Sequence, residues 1–264
     1  MVAVAVAAGA IQKGRCMRSL PGVHAAILAA TVSLAVFSAA PPASTLKIDG
    51  TPVAIPDPSG LSPLRDRSSA YFRFMSTMQA NAGNELLADY LPPKEAKIAD
   101  EGRIPEPRHW AIVYSLGSLK GRAVTPAEFQ AQLVPSIEEA MRKEMKDPAL
   151  QKKLDEGTDK GVRQLAKDSR AEPGQLRIGQ LQPLGIYDRK PRYLTYGAAA
   201  RVRAQSPGGK AFEQSLTMAI GFMVIKDRLF GMAVYREYHS RKDIDAIRSE
   251  AAAWAEAITR ANPE

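Results

Sequence analysis

The sequence predicts an α+β fold in which an antiparallel β-sheet is packed between amphipathic helices. Apolar residues recur at helical spacing in much of the first half of the chain, and from Gln175 onward they alternate with polar residues as they do in strands. Short turn signals join these later segments, which is typical of an antiparallel meander. The chain has 264 residues, 45% hydrophobic and 24% charged, a composition typical of a globular protein with a buried core.

The N-terminal segment has the pattern of a secretory signal peptide. It contains no acidic residue, and Lys13, Arg15 and Arg18 precede an apolar run from Ala25 to Ala40. This run is shorter than the ~20 residues that a membrane-spanning helix needs. We therefore expect export to the periplasm or the exterior of a bacterium, with an uncleaved N-terminal anchor as the alternative.

The same pattern divides the chain into a leader over residues 1–44 and a single α+β domain over residues 45–264. Small residues end the apolar run, and they predict cleavage between Ser38 and Ser44. Met17 is an alternative start of the chain.

Cysteine chemistry is excluded from the predicted mature chain. Cys16, the one cysteine of the sequence, precedes the apolar run. The mature domain would therefore lack thiol nucleophiles, disulfides and thiolate metal sites. The formal net charge is +8 for the whole chain and +5 without the three basic residues of the leader. A charge of that size favours solubility and a weak attraction to anionic surfaces, and it does not by itself indicate nucleic-acid binding.

Local signals predict the first elements of the domain. The dipeptide Asp49-Gly50 predicts a β-hairpin within 46–55, and the prolines of this segment favour the edge of a sheet. Apolar spacing in "RSSAYFRFMSTMQ" predicts an amphipathic helix. The segments "NELLADYL" and "HWAIVYSL" are predicted strands, joined by an exposed loop that is rich in proline and charge.

Two helices are predicted next. Thr125 has the position of a helix cap, Pro126 that of the first helical residue, and Glu128 would complete a capping box. Pro135 predicts a kink, because it lacks a backbone donor and crowds the preceding turn. The dipeptide Asp147-Pro148 predicts the start of a second, charged helix that contains two glycines.

Four consecutive strands are predicted in the C-terminal half. The first two are "RIGQLQPLGIYD" and "RYLTYGAAARVRA", and a hairpin turn is predicted at Ser206–Lys210. The alternation between Phe212 and Val224 predicts a strand with one buried face. A tight turn at Asp227-Arg228 would lead into the last strand.

The segment "HSRKD" brings His239, Ser240 and Asp243 close together in sequence, which raises the question of a hydrolytic triad. Ser240 immediately precedes an apolar helical stripe, and Asp243 follows it at the S-x-x-D spacing of a capping box. A triad requires the base to approach the serine from the side, and no nucleophile-elbow motif surrounds this serine. Ser240 and Asp243 are therefore predicted to form a helix cap.

No catalytic, cofactor-binding or metal-ligating residue is assigned from the sequence. His109 and His239 lack metal-ligand spacing, and no cofactor is indicated. Glu85 and Asp89 are spaced to share one face of a strand, as a catalytic carboxylate pair would, although acidic residues on the solvent side of a strand are more common. No glycine-rich phosphate loop occurs.

Five basic residues form a candidate patch for an anion or an acidic partner: Arg189, Lys190, Arg192, Arg201 and Arg203. The first three cluster in a predicted turn, and the last two share one face of a predicted strand. A solvated polar surface is the more common explanation of such a pattern. Aromatic residues do not alternate with these charges, which argues against nucleic-acid binding.

Longer stretches of the sequence resemble a family of uncharacterised secreted bacterial proteins. They are "LKIDGTPVAIPDPSGLSPL", "NELLADYLP", "RIGQLQPLGIYDRKPRYLTYG" and the tail "VYREYHSRKDIDAIRSEAAAWAEAITRANP". The arrangement is also similar to the PsbP-like α-β-α sandwich, in which an antiparallel sheet lies between helices. Known members of that fold group are binding proteins, so the resemblance implies an interaction role. Because fold does not determine function, no functional residue is transferred.

Together these observations predict an exported periplasmic or cell-envelope protein that acts as a non-enzymatic binding or assembly module. The expected partner is another envelope protein or a small ligand. One alternative is a periplasmic hydrolase whose site is assembled from residues distant in sequence. Another is a peripheral membrane-surface protein that binds anionic groups weakly through the basic residues.

Overall fold

The computed structural model describes residues 43–145, 147–169, 172–205 and 211–263. The strands are β1 (Ala43–Ile48), β2 (Thr51–Pro56), β3 (Ser62–Pro63), β4 (Asn84–Leu91), β5 (His109–Leu116), β6 (Gln175–Ile178), β7 (Gln182–Lys190), β8 (Tyr193–Gln205), β9 (Ala211–Ile225) and β10 (Arg228–Glu237). The helices of eight or more residues are α1 (Ala70–Asn81), α2 (Pro93–Asp100), α3 (Val134–Glu144), α4 (Pro148–Ser169) and α5 (Arg241–Ala261), and short helical turns lie at Gly117–Leu119 and Pro126–Glu128. The α+β class with antiparallel pairing is thus confirmed.

Two separate sheets are present in the described ranges. The large sheet has the strand order β3-β4-β5-β10-β9-β8, and β6 and β7 both pair with β8 at its far border. All of these pairs are antiparallel. Strands β1 and β2 form an independent hairpin around Asp49-Gly50, where both residues have positive φ angles. The hairpin was predicted correctly, but it packs outside the large sheet instead of forming its edge.

The central strands are buried on both faces, which corrects the prediction of one buried face for β9. From Leu216 to Ile225 every residue of β9 is buried. Alternate side chains enter two different hydrophobic clusters, one on each side of the sheet. Both faces are therefore covered, and this explains why β9 and β10 are so rich in apolar residues.

One face of the sheet is covered by α1, α3 and α4. Helix α4 crosses α1 at two glycines, since a Cβ atom on Gly161 would lie 2.8 Å from Sδ of Met78 and one on Gly157 would lie 3.3 Å from Cβ of Asn81. The two glycines are four residues apart and therefore lie on the same side of α4. They allow the two helices to approach closely.

The opposite face is covered by α5 and the β1–β2 hairpin. Trp254 of α5 donates a hydrogen bond from Nε1 to the carbonyl of Pro56 at 2.7 Å, and its ring meets Tyr90 edge-on. The side chain of Asn262, just after α5, accepts from the amide of Ala54 at 2.9 Å and donates to its carbonyl at 2.7 Å. Asn262 thus holds β2 in the way that a neighbouring strand would.

Several predicted boundaries differ from the structure. The loop predicted between β4 and β5 contains α2, which begins with a proline at its first position. The strand predicted over "RIGQLQPLGIYD" is divided into β6 and β7. The turn between β9 and β10 lies at Lys226-Asp227, where both residues have positive φ angles, one residue earlier than predicted.

The kink predicted at Pro135 corresponds to an irregular helical turn just before this proline. Thr125 accepts a hydrogen bond from the amide of Glu128, as predicted, whereas the Glu128 carboxylate contacts Arg122. A π-helical turn at Phe129–Leu133 then precedes α3. Pro135 lies in the first turn of α3, where a missing amide is tolerated. The hairpin turn predicted at Ser206–Lys210 lies outside the described residues.

Candidate functional site

The five basic residues of the predicted patch lie in two separate places. Arg189, Lys190 and Arg192 lie at the turn between β7 and β8, whereas Arg201 and Arg203 lie toward the other end of β8. At ~3.3 Å per residue, Arg192 and Arg201 are roughly 30 Å apart along the strand. The structure therefore does not bring the five side chains together.

The first basic group is held against α3. Arg189 contacts Glu138, with 3.2 Å between Nη1 and Oε1, and its Nε donates to Gln130 at 3.3 Å. Gln130 in turn donates to the carbonyl of Lys190 at 2.7 Å. On the other side, Arg192 reaches the carbonyl of Asn262 at 3.4 Å. This turn is anchored to both helical layers.

The second basic group forms a surface ion pair. Nε of Arg203 lies 2.7 Å from Oε2 of Glu213, and Nη1 of Arg201 lies 3.8 Å from Oε1 of the same carboxylate. All three side chains are largely exposed. Pairs of this kind contribute little to stability because water and salt screen them.

An exposed strand edge adjoins the first basic group. Strand β7 pairs with β8 on one side, and no described strand pairs with its other side. Leu184 and Ile186 are 37% and 44% exposed. Beyond them, Arg248 of α5 donates to the carbonyl of Tyr187 at 3.1 Å. We call Gln182–Ile186 the β7 edge.

Irregular pairing limits the length of the β7 edge. The register with β8 shifts between Pro183 and Gly185 and again between Ile186 and Asp188. Gly185 has a φ angle of 92°, a conformation that side chains with a Cβ rarely adopt. Bulges and proline are common where a border strand is protected from uncontrolled pairing. Only a short segment with exposed apolar side chains is therefore left available for pairing on this border.

The two histidines bind different glutamates. His109 Nε2 lies 2.7 Å from Oε1 of Glu250, whose other oxygen accepts from Nη2 of Arg236 at 2.9 Å. His239 Nε2 lies 3.3 Å from Oε2 of Glu237. The first cluster links β5 and β10 to α5, and neither histidine ring has a hydrogen bond to a serine, threonine or cysteine of the described residues.

Ser240 and Asp243 form the start of α5. The Asp243 carboxylate accepts hydrogen bonds from the amides of His239 and Ser240 at 2.9 and 2.8 Å, and these amides hold its pKa below the usual range. The Ser240 hydroxyl lies 3.4 Å from the same carboxylate. Ser240, His239 and Asp243 therefore have the geometry of a helix cap.

Glu85 and Asp89 lie on opposite sides of β4. The pairing of β4 with β5 is irregular between Leu86 and Ala88, and an extra residue there reverses the alternation of side chains. Glu85 is exposed, and its carboxylate lies 3.4 Å from Lys120 Nζ. Asp89 is only 1% exposed. The two carboxylates do not form a pair.

Asp89 lies among tyrosines at the interface between the sheet and α1. Neither of its oxygens makes a side-chain hydrogen bond to a described residue. Burial raises its pKa well above the usual range, and the amide of Tyr90 offsets this only partly. Tyr71 of α1 and Tyr235 of β10 lie within electrostatic range, since the Asp89 charge contributes to raising the pKa of both hydroxyls.

The surroundings of Asp89 contain further buried polar groups. Trp110 stacks on Tyr235 with 4.6 Å between ring centroids, and its Nε1 has no described partner. The Tyr114 hydroxyl is also without a described partner, and burial together with Tyr235 raises its pKa. We call Asp89, Tyr71, Tyr114 and Tyr235 the Asp89 cluster. A carboxyl group in this setting retains its proton well above the pH at which an exposed aspartate loses it.

A groove of about 610 Å³ lies where α3 leads into α4, apart from all predicted site residues. Acidic side chains of α4 line it, and two of them are engaged by the protein itself: Asp155 accepts from Gln151 at 3.2 Å, and Asp159 pairs with Arg177. Within the described ranges, no group of acidic, histidine or cysteine side chains is arranged to hold a metal ion. In the same ranges, no helix has the length and apolar character needed to cross a membrane.

Comparison of the chain with protein-family models, with curated proteins and with solved structures gave no match.

Sequence reasoning missed the buried state of Asp89 and the β7 edge. Nothing in "NELLADYL" marks the irregularity that turns Asp89 inward. For the β7 edge a signal was present, since Pro183 and Gly185 flank Leu184 and both residues are typical of border strands and bulges. The predicted strand was too long to place this segment at a border.

Proposed function

We propose that this protein is exported and acts in the periplasm or cell envelope as a non-enzymatic binding or assembly module, with the layers of a PsbP-like sandwich. The β7 edge is its binding surface, and the basic turn beside it contributes to recognition. The observation that carries the proposal is the exposure of Leu184 and Ile186 on a border strand whose outer side is not paired by any described strand.

A strand edge of this kind binds by adding a strand. Backbone amides and carbonyls on the outer side supply hydrogen bonds, and alternate side chains supply specificity. Leu184 and Ile186 are both exposed on this segment and are the apolar side chains that it offers to a partner. The bulges restrict pairing to a short segment, which favours one matched partner strand over extended aggregation.

The ionisable residues considered for catalysis act as structural contacts. His109 and Arg236 bind Glu250 of α5, and Asp243 binds amides at the start of α5. These contacts join the last helix to the sheet. They support an interaction role because the side chains serve the scaffold that presents the β7 edge.

The test is crosslinking in intact cells with Ile186→Lys. A charged side chain at this position would oppose the burial of the edge in a complex, and lysine is a natural protector of border strands. Ile104→Lys is the matched control, because Ile104 is also 44% exposed and lies in a loop outside β7. The two side chains that are replaced are both isoleucine and have the same exposed fraction.

We expect one dominant envelope partner to crosslink to the unmodified protein and to Ile104→Lys, and to be lost from Ile186→Lys. Equal crosslinking of the partner to both variants would show that the β7 edge is not the binding surface. If turnover of a substrate is found and is abolished by replacing one residue, the non-enzymatic role is wrong.

A hydrolase is the second candidate, and the contact between His109 and Glu250 favours it. A histidine held by a carboxylate at 2.7 Å resembles the base and orienting acid of a triad, although no described residue supplies a nucleophile to this ring. His109→Gln would abolish any hydrolysis measured with the purified protein if this candidate is correct, while the matched change His239→Gln would leave it intact.

A further inference from the structure

The interface between α1 and the sheet contains an acidic side chain with no ionic partner among the described residues. Asp89 is 1% exposed, and its carboxyl oxygens meet no side-chain donor there. An ionised carboxylate in such a place loses its hydration, and only the amide of Tyr90 partly offsets that loss. The closed interface therefore favours the neutral acid.

We propose that the contact of α1 with the sheet is a proton-dependent latch, closed while Asp89 carries its proton and opened when that proton leaves. Opening admits water to the carboxylate and exposes the apolar side of α1. Tyr71, Phe72 and Met75 of α1 are buried in the closed state, whereas Met78 lies against Gly161 of α4.

The groups that face Asp89 supply no positive charge. Tyr71 on α1 and Tyr235 on β10 lie within range of its charge, and Tyr114 on β5 lies within range of Tyr235. Their pKa values are raised, so they are neutral throughout the range in which Asp89 titrates. Arg73 of α1 is directed elsewhere, since its Nε lies 2.7 Å from Asp168.

The loop before α1 and helix α2 also direct their charges away from this carboxyl. Arg67 donates to the carbonyl of Leu87 at 2.8 Å. Asp100 of α2 accepts from the amides of Arg65 and Asp66 at 3.1 and 3.0 Å. None of these contacts would neutralise an ionised Asp89.

The opening is local because of the place of β4 in the sheet. Strand β4 is separated from the border only by β3, which has two residues, whereas β9 and β10 are central. Water can reach Asp89 by displacing α1 and the loop before it. Helix α5 packs on the opposite face and need not move.

Amide hydrogen exchange tests the latch over the range from about pH 5 to about pH 9. After correction for intrinsic exchange, the opening constant of α1 is expected to rise ~10-fold for each pH unit until Asp89 is ionised in the closed state. The opening constant of α5 is expected to stay constant and serves as the internal reference.

Two variants test whether Asp89 causes the pH dependence of the opening of α1. Asp89→Asn is expected to abolish the pH dependence of α1, because the amide has no proton to lose in this range. Glu85→Gln on the same strand is the matched control and is expected to retain it, since Glu85 is already exposed.

Three results would overturn the proposal. They are an opening constant of α1 that does not change with pH in the unmodified protein, an equal rise in the opening constant of α5 that indicates global unfolding, or the same pH dependence of α1 in Asp89→Asn. The comparison of α1 with α5 in the unmodified protein and in Glu85→Gln decides the question even if Asp89→Asn does not fold. The latch is independent of the β7 edge, so the fate of one proposal does not determine the other.

Discussion

Single side chains attach the separate hairpin to the rest of the molecule. The β1–β2 hairpin shares no strand pairing with the large sheet. Asn262 satisfies both backbone groups of Ala54, and Trp254 satisfies the carbonyl of Pro56. The hairpin therefore depends on side chains that lie 208 and 198 residues further along the chain.

Asn262→Ala is expected to lower the free energy of unfolding by about 2–3 kcal/mol, because two hydrogen bonds are lost and the groups of Ala54 lose their partner. Urea denaturation measures the change. Arg260→Ala on the same helical end is the control, since that exposed side chain pairs only loosely with Glu256, and we expect a change within about 0.5 kcal/mol. An Asn262→Ala value as small as the control would show that the hairpin is held by other contacts.

At the scale of elements, two short irregularities have large consequences. The extra residue in β4 places Asp89 at the interface with α1 instead of on the face that Glu85 occupies. The π-helical turn before α3 lets the chain accommodate Pro135 while its apolar side chains remain against the sheet, and Phe129 and Ile137 on either side of the proline are fully buried. Both irregularities change which face a side chain occupies, and neither changes the type of element.

Gly161→Val tests the packing of α4 on α1. Valine has a slightly better helix propensity than glycine, so any loss of stability is steric. A Cβ atom at this position would lie 2.8 Å from Met78 Sδ and 3.1 Å from Phe74, and the branched side chain extends further. We expect the free energy of unfolding to fall by about 1–3 kcal/mol.

Lys153→Val in the same helix is the matched control, because Lys153 is exposed and the replacement is the same. We expect its free energy of unfolding to stay within about 0.5 kcal/mol of that of the unmodified protein. Similar losses in the two variants would assign the effect to valine in the helix and would contradict close packing at Gly161.

At the scale of the whole molecule, three layers are stacked in the described part of the chain. Helices α1, α3 and α4 cover one face of the sheet, and α5 with the hairpin covers the other. The first strand begins at Ala43, two residues before the predicted domain boundary at residue 45. Ser44 belongs to it, and its hydroxyl donates to the carbonyl of Ile55 at 3.3 Å.

The position of β1 narrows the range of residues in which the leader of an exported chain would be cleaved. If the leader is cleaved, the mature N-terminus is expected upstream of or at Ala43, because a later cut would remove the pairing of Ala43 with Pro56 and of Ser44 with Ile55. N-terminal sequencing of the protein recovered from the cell envelope measures this. Recovery of a chain that begins at Met1 or Met17 would contradict cleavage, and a start beyond Ser44 would contradict the role of β1.

The sequence by itself determined the α+β class, most helices and strands, the hairpin at Asp49-Gly50 and the capped start of α5. These features follow from periodicity, turn residues and caps, which depend on neighbours within a few positions. Export and a binding role remain proposals drawn from the same kind of pattern.

Only the tertiary structure decided which distant residues meet. It divided the five basic residues between the two ends of β8, buried Asp89 under α1 and left Leu184 and Ile186 on an exposed border. Strand order, bulges and the covering of both sheet faces result from contacts between residues far apart in sequence. No local pattern encodes such contacts, so the Asp89 cluster could not be predicted from the sequence, and only Pro183 and Gly185 gave a local signal for the β7 edge.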